Sequence, residues 1–296
     1  MKKLICIAAI TSLLAGAAAG CGGGSGGGGT SGGNEPAFNT AREITVISRE
    51  DGSGTRGAFV ELVGIEERDS AGNRRDMTTR EAVIANRTDV MLANVANDPY
   101  SIGYVSLGSL NNSVKGVNIN GIEPSAANIK SGAYAIARPF NIATKGAPSG
   151  LAKDFIDFIM SYEGQTVVAN SYIAVDEEAA PFDGETPAGK LVIAGSSSVS
   201  PVMERLAEAY MVINPDADIQ IQTSDSTTGV NSTIEGIADI GMASRDLRES
   251  ELAELNGLTI AVDGIAVIVN NENPLGNLDT ETVRQIFIGE KTTWEL

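Results

Sequence analysis

Short apolar runs recur along the chain, and most of them are followed by a segment whose apolar residues have helical spacing. Buried strands are predicted at residues 44–48, 191–194, 219–222 and 264–270, and an extended segment at 134–143. Helices are predicted at 57–62, after Pro201, after Asp279, and where one apolar face contains Leu151, Phe155, Phe158, Ile159 and Tyr162. Alternating strands and helices predict an α/β fold, in which ligands bind at loops that follow the carboxyl ends of strands.

The first residues have the pattern of a secretory signal. Lys2 and Lys3 precede an apolar run, and small residues lead into Cys21. This site resembles the cleavage site of bacterial lipoproteins, although Ala18 stands where leucine is usual. We therefore expect a signal peptide at 1–20, lipidation of Cys21, and a Gly/Ser tether at 21–43 that holds the protein at the membrane. An uncleaved membrane helix would need about 20 apolar residues, and this run is shorter.

Composition removes several classes of function. The 296 residues include no histidine, which excludes Ser-His-Asp and Cys-His catalysis and histidine-based zinc motifs. The net charge of −17 repels nucleic acid, and the sequence has no Lys/Arg run that would overcome this repulsion. We expect no catalytic residues, no metal, no cofactor and no nucleic-acid partner.

Three loops between a predicted strand and a helix carry hydroxyl groups and glycines. They are residues 49–56, with the sequence REDGSGTR, residues 195–199, with GSSSV, and residues 224–229, with SDSTTG. Glycine lets the backbone approach a ligand, and hydroxyls and N–H groups at a helix N-terminus suit an oxyanion. Arg49 adds a planar, charged donor. Each loop taken alone is weak evidence, because such sequences more often form a simple turn or cap the helix, for example through Ser200.

Taken together, these loops resemble the phosphate-binding protein of bacterial phosphate ABC transporters, the PstS type. The resemblance extends through DIGMASR at 239–245, DGIAVIVN at 263–270 and IFIGEKTTW at 286–294, and covers nearly all of residues 44–296. It implies a two-lobed, type II periplasmic-binding-protein fold with two strand crossings, near 134–144 and 265–270. One lobe would comprise 145–265, and the other 44–135 together with 271–296.

The order of the segments differs from that of the family. In the family, the part that resembles 191–296 comes first and the part that resembles 44–175 follows. The sequence is therefore similar to a circularly permuted member, in which the acidic, Pro- and Gly-containing linker 176–190 joins the family's termini and is expected to be solvated. The alternative is a fragment of a longer tandem protein.

The resemblance also implies the residues that bind the anion. On one side they are Ser198, the N–H of Val199, Ser226 and Ser244, and on the other Arg49, Ser53, Gly54 and Thr55. Asp51 matches an acidic residue that holds the arginine in the family, and Arg245 has a supporting place. Some members have an aspartate, which accepts the phosphate proton, about where Ser244-Arg245 stands here.

The function that this resemblance implies is that of a monomeric, lipid-anchored receptor, which captures inorganic phosphate and delivers it to an ABC permease. A sensor of phosphate, or of another oxyanion such as sulfate, without a role in transport is the alternative. A phosphatase or phosphotransferase is disfavoured because the sequence has neither histidine nor a clustered metal-ligand motif.

Overall fold

A mixed sheet of ten strands organises the part of the chain that the structure, a computed structural model, describes: residues 38–69 and 74–295. The predicted signal peptide, Cys21, the tether up to residue 37 and Leu296 lie outside the described residues. The strands are β1 Thr45–Arg49, β2 Glu66–Arg68, β3 Arg74–Asp76, β4 Val83–Ala85, β5 Ser101–Ser106, β6 Lys115–Gly116, β7 Asn118–Ile119, β8 Ala137–Thr144, β9 Ile173–Ala174, β10 Gly189–Ser196, β11 Ala217–Ser224, β12 Ile240–Ala243, β13 Asn256–Val269 and β14 Asn277–Leu278. The helices are α1 Gly54–Leu62, α2 Thr88–Asn97, α3 Ala126–Lys130, α4 Gly150–Met160, α5 Tyr162–Ala169, α6 Ser200–Ile213, α7 Ser226–Ile234, α8 Glu249–Leu252 and α9 Thr280–Phe287.

The main sheet consists of two parallel groups joined by an antiparallel pair. Its order is β11-β10-β12-β8-β13-β5-β1-β4, and β6 and β9 also pair with β13. Strands β11, β10 and β12 are parallel to one another, as are β5, β1 and β4. Between these groups, β8 and β13 run antiparallel to each other and to their outer neighbours. The carboxyl ends of each parallel group therefore share one edge of the sheet.

Two large apolar clusters flank this central pair of strands. The first cluster draws its buried residues from Phe140 to Ala261; we call this stretch the middle segment and the cluster the middle-segment core. The second cluster draws its buried residues from the parts of the chain on either side, from Val46 to Ile136 and from Ile265 to Trp294; we call these parts the end segment and the cluster the end-segment core. Both β8 and β13 contribute to each core, so the two strands pass from one core to the other.

The apolar pattern located most elements correctly and misplaced some of their ends. Asp279 caps α9 as predicted, because its carboxylate accepts a hydrogen bond from the N–H of Thr282 at 2.6 Å. The predicted helical face that included Tyr162 is wrong, since α4 ends at Met160 and Tyr162 begins α5. Ser161 has an extended ψ of 169° and caps α5 through its hydroxyl, which breaks the helix. The predicted strand at 264–270 is the second half of the longer β13.

The segment 176–190 is mostly exposed, as expected, but it is also attached to the middle-segment core. The Phe182 ring packs edge-on against the Phe158 ring, with centroids 5.4 Å apart. The buried carboxylate of Asp154 accepts hydrogen bonds from the N–H groups of Glu185 and Thr186, at 2.7 and 3.3 Å. The segment is therefore a docked connection rather than a fully solvated linker.

None of the helices in the described part of the chain has the length and apolar character that crossing a bilayer requires.

Candidate anion-binding site

Five strands of the main sheet end at one group of buried hydroxyls. Strands β10, β11 and β12 lead into Ser196–Ser198, Ser226 and Ser244, and strands β1 and β4 lead to Thr55 and Thr88. We call these side chains the hydroxyl cluster, and none of the residues is more than 6% exposed: Ser196, Ser197, Ser198, Ser226, Ser244, Thr55 and Thr88. The sequence places them there because each follows a strand and lies at or near the start of a helix or turn. The cluster thus unites the carboxyl ends of both parallel groups.

Hydrogen bonds connect the cluster across the two groups of strands. The hydroxyls of Thr55 and Ser198 are 2.9 Å apart, and that of Thr88 lies 3.2 Å from Ser197 and 3.3 Å from Ser198. Within the middle segment, the Ser244 hydroxyl accepts from Ser196 at 2.9 Å. Because a hydroxyl both donates and accepts, each of these groups can turn its proton toward an anion.

Gly54 allows the two sides to approach each other. A Cβ atom at this position would lie 2.5 Å from the Ser226 hydroxyl oxygen and 2.8 Å from that of Ser244. Both distances are shorter than van der Waals contact, so any side chain would separate the loop from these serines. On the opposite side, Gly195 has a φ of 137°, which favours glycine, as β10 enters its loop.

Arg49 supplies a positive charge directly to the hydroxyl cluster. Its residue is 2% exposed, and its Nη2 donates to the Ser197 hydroxyl at 3.1 Å while its Nη1 lies 3.4 Å from the Thr88 hydroxyl. The carboxylate of Glu50 holds the guanidinium by accepting two hydrogen bonds, from Nε at 2.8 Å and from Nη2 at 2.7 Å. The carbonyl of Ala85 accepts a further bond from Nε at 3.1 Å. The charge is therefore buried, oriented and paired.

The predicted role of Asp51 is wrong. Its carboxylate pairs with Arg56 at 2.7 Å and is 96% exposed, so it does not hold Arg49. The reason is that Asp51 comes after the end of β1, in the turn before α1, where its side chain faces solvent. Glu50, one residue earlier, takes the expected place beside Arg49.

Arg245 has a carboxylate partner of its own. Its guanidinium makes two hydrogen bonds of 2.8 Å to the carboxylate of Glu251. Burial alone would raise the pKa of Glu251, but the hydrogen bonds and charge of Arg245 outweigh it and hold this pKa below its usual value. Arg245 therefore lies beside the cluster with its charge balanced.

Val199, Ser53 and Ser200 each make a hydrogen bond within their own turn or helix start. The N–H of Val199 donates to the carbonyl of Ser196 at 3.0 Å, so this predicted donor is engaged within its own turn. Ser53 caps α1 by accepting from the N–H of Arg56 at 3.3 Å. Ser200 is not the cap of α6 but its first residue, and its hydroxyl donates to the Ser196 carbonyl at 3.2 Å.

Glu50, Ser196 and Ser197 lie in loops recognised from the sequence but were not named as anion contacts, and Thr88 lies outside those loops. Thr88 had a usable signal, because it follows the short apolar strand β4 and begins α2, the same pattern as the three loops that were recognised. Arg138 and Asp263 form a buried ion pair next to the Ser244 loop. No local signal predicts this pair, since the two residues are 125 positions apart.

The residues that the structure describes contain no group of three or more Asp, Glu, Cys or His side chains arranged to hold a metal ion. The site is instead rich in hydrogen-bond donors: hydroxyls and one arginine fork. These donors suit an oxyanion, which accepts hydrogen bonds from several directions.

Comparison with known proteins agrees with this geometry. The family model described as "PBP superfamily domain" matches residues 34–163 and 180–296. The chain is 50% identical over 264 residues to "Phosphate-binding protein PstS 2" of Streptococcus agalactiae, which covers 88% of this chain and 90% of that protein. It is 44% identical over 254 residues to the protein of the same name from Streptococcus pneumoniae, over 85% of this chain and 87% of that one.

A solved structure is also similar to this chain. It is a phosphate-binding protein of a phosphate ABC transporter from Streptococcus pneumoniae, with a TM-score of 0.68 and 44% sequence identity over 86% of this chain and 98% of that one. The fold predicted from the sequence, an α/β fold of the periplasmic-binding-protein type, is thereby confirmed. On the family match, the identity and the shared fold, the chain belongs to the PstS-type phosphate-binding proteins of the PBP superfamily.

Proposed function

We propose that this protein captures inorganic phosphate in the hydroxyl cluster and delivers it to an ABC permease, as a receptor rather than an enzyme. The observation that carries the proposal is a group of seven buried hydroxyls, two of which, those of Ser197 and Thr88, contact the guanidinium of Arg49. A net charge of −17 attracts no dianion from a distance, so local donors must provide the affinity. Hydrogen bonds to a charged group contribute about 1.5–3 kcal/mol each, and several of them suffice for a micromolar site.

The proposed ligands are the predicted ones, with additions and one change. Ser198, Ser226, Ser244, Thr55 and Arg49 contribute side chains, and Gly54 and Ser53 form the tight turn beside them. Thr88 and Ser197 join this set because they lie within the same hydrogen-bonded cluster. Val199 would contribute its N–H only after releasing the Ser196 carbonyl. Glu50, rather than Asp51, orients the arginine.

Serine takes the place of the family's proton-accepting aspartate in this proposal. The hydroxyl oxygen of Ser244 accepts a hydrogen bond from the Ser196 hydroxyl at 2.9 Å. It also lies 3.4 Å from the hydroxyl oxygen of Ser226. A hydroxyl that can accept as well as donate would tolerate the proton of hydrogen phosphate. Sulfate carries no proton at neutral pH, so it would gain nothing from that acceptor.

We propose that the protein closes by a hinge between two lobes, 44–135 with 271–296 and 145–265. This division is supported by the two apolar cores and by the passage of β8 and β13 between them. A bound anion would stabilise the closed form, because only there do the serines of one lobe and Arg49 of the other reach it together.

The proposed location rests on the sequence. Lipidation of Cys21 after removal of residues 1–20 would hold the protein on the extracytoplasmic face of the membrane, next to a permease. The Gly/Ser tether would leave the monomeric binding unit free to move over some 20 Å.

We further propose that the segment order is a circular permutation. It is supported by the contact between residues near the two ends of the described chain: the N–H of Ile44 donates to the carbonyl of Thr292 at 2.7 Å, and Glu43 and Thr293 form an antiparallel bridge. A chain continuous through this junction and open within 176–190 would retain the same contacts, because only loop closure changes.

Calorimetry on residues 34–296 with phosphate, sulfate and arsenate tests the function. We expect micromolar or tighter phosphate binding and weaker sulfate binding. Equal or stronger binding of sulfate would overturn the phosphate assignment and leave an oxyanion receptor. Binding of none of the three anions would overturn the proposal as a whole.

A further inference from the structure

A buried ion pair lies where the two central strands pass from one core to the other. Arg138 on β8 is directly opposite Asp263 on β13, and their side chains are 2% and 1% exposed. The Nη2 of Arg138 donates to the Asp263 carboxylate at 3.2 Å. Removing two charges from water is unfavourable unless their mutual attraction and their other hydrogen bonds offset the loss of hydration.

The two ends of the pair have different neighbours. The Nη1 of Arg138 donates to the carbonyl oxygen of Ser244 at 3.0 Å, so the guanidinium contacts a residue of the hydroxyl cluster. The carboxylate of Asp263 instead accepts from the Ser106 hydroxyl at 3.0 Å and from the N–H of Gly108 at 3.4 Å, at the end of β5. Direct contact with the cluster is thus made by the positive member.

The charge of Arg138 interacts with the charge of Arg49. Burial lowers the pKa of Arg138, and the positive charge of Arg49 lowers it further, against the attraction of Asp263. Burial also raises the pKa of Asp263, to about 6. At pH 8 the carboxylate of Asp263 is therefore ionised, and an arginine side chain stays charged in proteins.

Arg138 is the least neutralised of the three arginines beside the site. Arg49 and Arg245 each share two hydrogen bonds with a glutamate. Arg138 is connected to Asp263 through Nη2 alone, and its buried Nε has no partner. An anion next to the Ser244 loop would relieve this imbalance.

We propose that Arg138 is a second positive charge acting on the bound anion, and that Asp263 attenuates it and thereby sets the affinity of the site. This inference rests on the proposed function, phosphate binding in the hydroxyl cluster. Arg138 acts from behind Ser244, through the electric field, and not as a direct ligand. The field is strong there because the pair and the cluster are both buried.

The direction in which phosphate affinity changes distinguishes this electrostatic role from a purely structural one. If the pair only braced the strands, loss of either member would weaken phosphate binding. If the charge of Arg138 acts on the anion, Arg138→Gln weakens binding and Asp263→Asn strengthens it. A unit charge within a few ångströms of a buried anion changes affinity by about tenfold or more.

The experiment is calorimetry of the purified protein with inorganic phosphate at pH 8, together with thermal unfolding without phosphate. We expect the Kd for phosphate to be at least about tenfold higher than that of the wild type in Arg138→Gln. In Asp263→Asn it should be at least about threefold lower. Both variants should unfold at a lower temperature than the wild type. Arg138→Lys keeps the charge and should restore most of the affinity lost in Arg138→Gln.

Lys153→Gln and Asp157→Asn are matched controls, because they change the net charge identically within an exposed ion pair on α4. Both should bind within about twofold of the wild type, since solvent screens them. Weaker binding in both Arg138→Gln and Asp263→Asn, or unchanged binding in both, would overturn the inference. A wild type that binds no phosphate would overturn the proposed function instead.

If Arg138→Gln fails to fold, the sign of the shift in Asp263→Asn decides, because only the inference expects tighter binding there. If Asp263→Asn fails to fold, the double variant Arg138→Gln with Asp263→Asn decides, since it leaves no unpaired buried charge. Its Kd should be weaker than that of the wild type by about threefold, because the positive member lies nearer the anion. An equal or tighter Kd would overturn the inference.

Discussion

The two sides of the hydroxyl cluster differ in charge. The middle segment contributes serines, and these hydroxyls are neutral donors and acceptors. The end segment contributes two threonines together with Arg49, whose guanidinium donates to Ser197 across the cleft. One side thus provides many weak, adaptable contacts, and the other provides a fixed charge. Loss of the charge should therefore cost more binding than loss of any single hydroxyl.

The arginines beside the cluster each have a carboxylate partner in this structure. Arg49 is paired with Glu50, Arg138 with Asp263 and Arg245 with Glu251. Each pairing makes the burial of an arginine tolerable, because an unpaired buried charge is strongly destabilising. It also means that removing one member exposes the opposite charge of the other to the anion.

The largest effect is expected from Arg49→Ala. The variant loses the charged donor and leaves the Glu50 carboxylate unpaired beside the bound dianion. Phosphate binding should fall by about 2–5 kcal/mol, measured by calorimetry. Arg87→Ala, which removes an exposed arginine near the start of α2, is the control and should change little. An affinity within threefold of the wild type for Arg49→Ala would mean that Arg49 is not in the site.

A smaller loss is expected when the two sides are held apart. The Cβ atom of Gly54→Ala would lie 2.5 Å from the Ser226 hydroxyl, so either the loop or the serine must move. Overpacking of this kind costs roughly 1–3 kcal/mol, and we expect the cost to fall on the form in which the two sides of the cluster touch. Phosphate affinity should drop while the unfolding temperature without phosphate changes little. Gly57→Ala is the control in the same helix, because its Cβ would meet only ordinary contact at 4.0 Å.

Removal of single hydroxyls should give smaller losses again. The hydroxyls of Ser198 and Thr55 are 2.9 Å apart and come from opposite sides of the cluster. Ser198→Ala and Thr55→Val each remove one of them, and Thr55→Ser keeps the hydroxyl. Loss of one hydroxyl should cost about 0.5–1.5 kcal/mol of binding, while Thr55→Ser should retain most of the affinity. The losses should not add in Ser198→Ala with Thr55→Val, since the two groups share one network. Strict additivity would show that the hydroxyls act independently.

The sequence was most informative where chemistry and local structure coincide. A strand followed by a hydroxyl-rich turn and a helix fixes where its side chains lie, which is why the hydroxyl of Thr55 lies beside that of Ser198 and the hydroxyl of Ser226 lies beside Ser244. Their partners depend on which strands pair and at what register, and this information is not local. The ion pair of Arg138 and Asp263 exists only because β8 and β13 pair antiparallel. The error over Asp51 has the same origin, because one residue of difference decides whether a side chain faces the site or solvent.

The smallest effect compares two neighbouring carboxylates, Glu50 and Asp51. Glu50→Gln would weaken the hold on Arg49 and remove a negative charge beside the anion, so phosphate should bind more tightly. The Glu50 side chain is 19% exposed, and partial screening limits the gain to about 0.5–1 kcal/mol. Asp51→Asn removes the same charge from a side chain that is 96% exposed and bonded to Arg56, and should change the Kd by less than twofold. The reverse order, with the larger change in Asp51→Asn, would restore the role that the family resemblance assigned to Asp51.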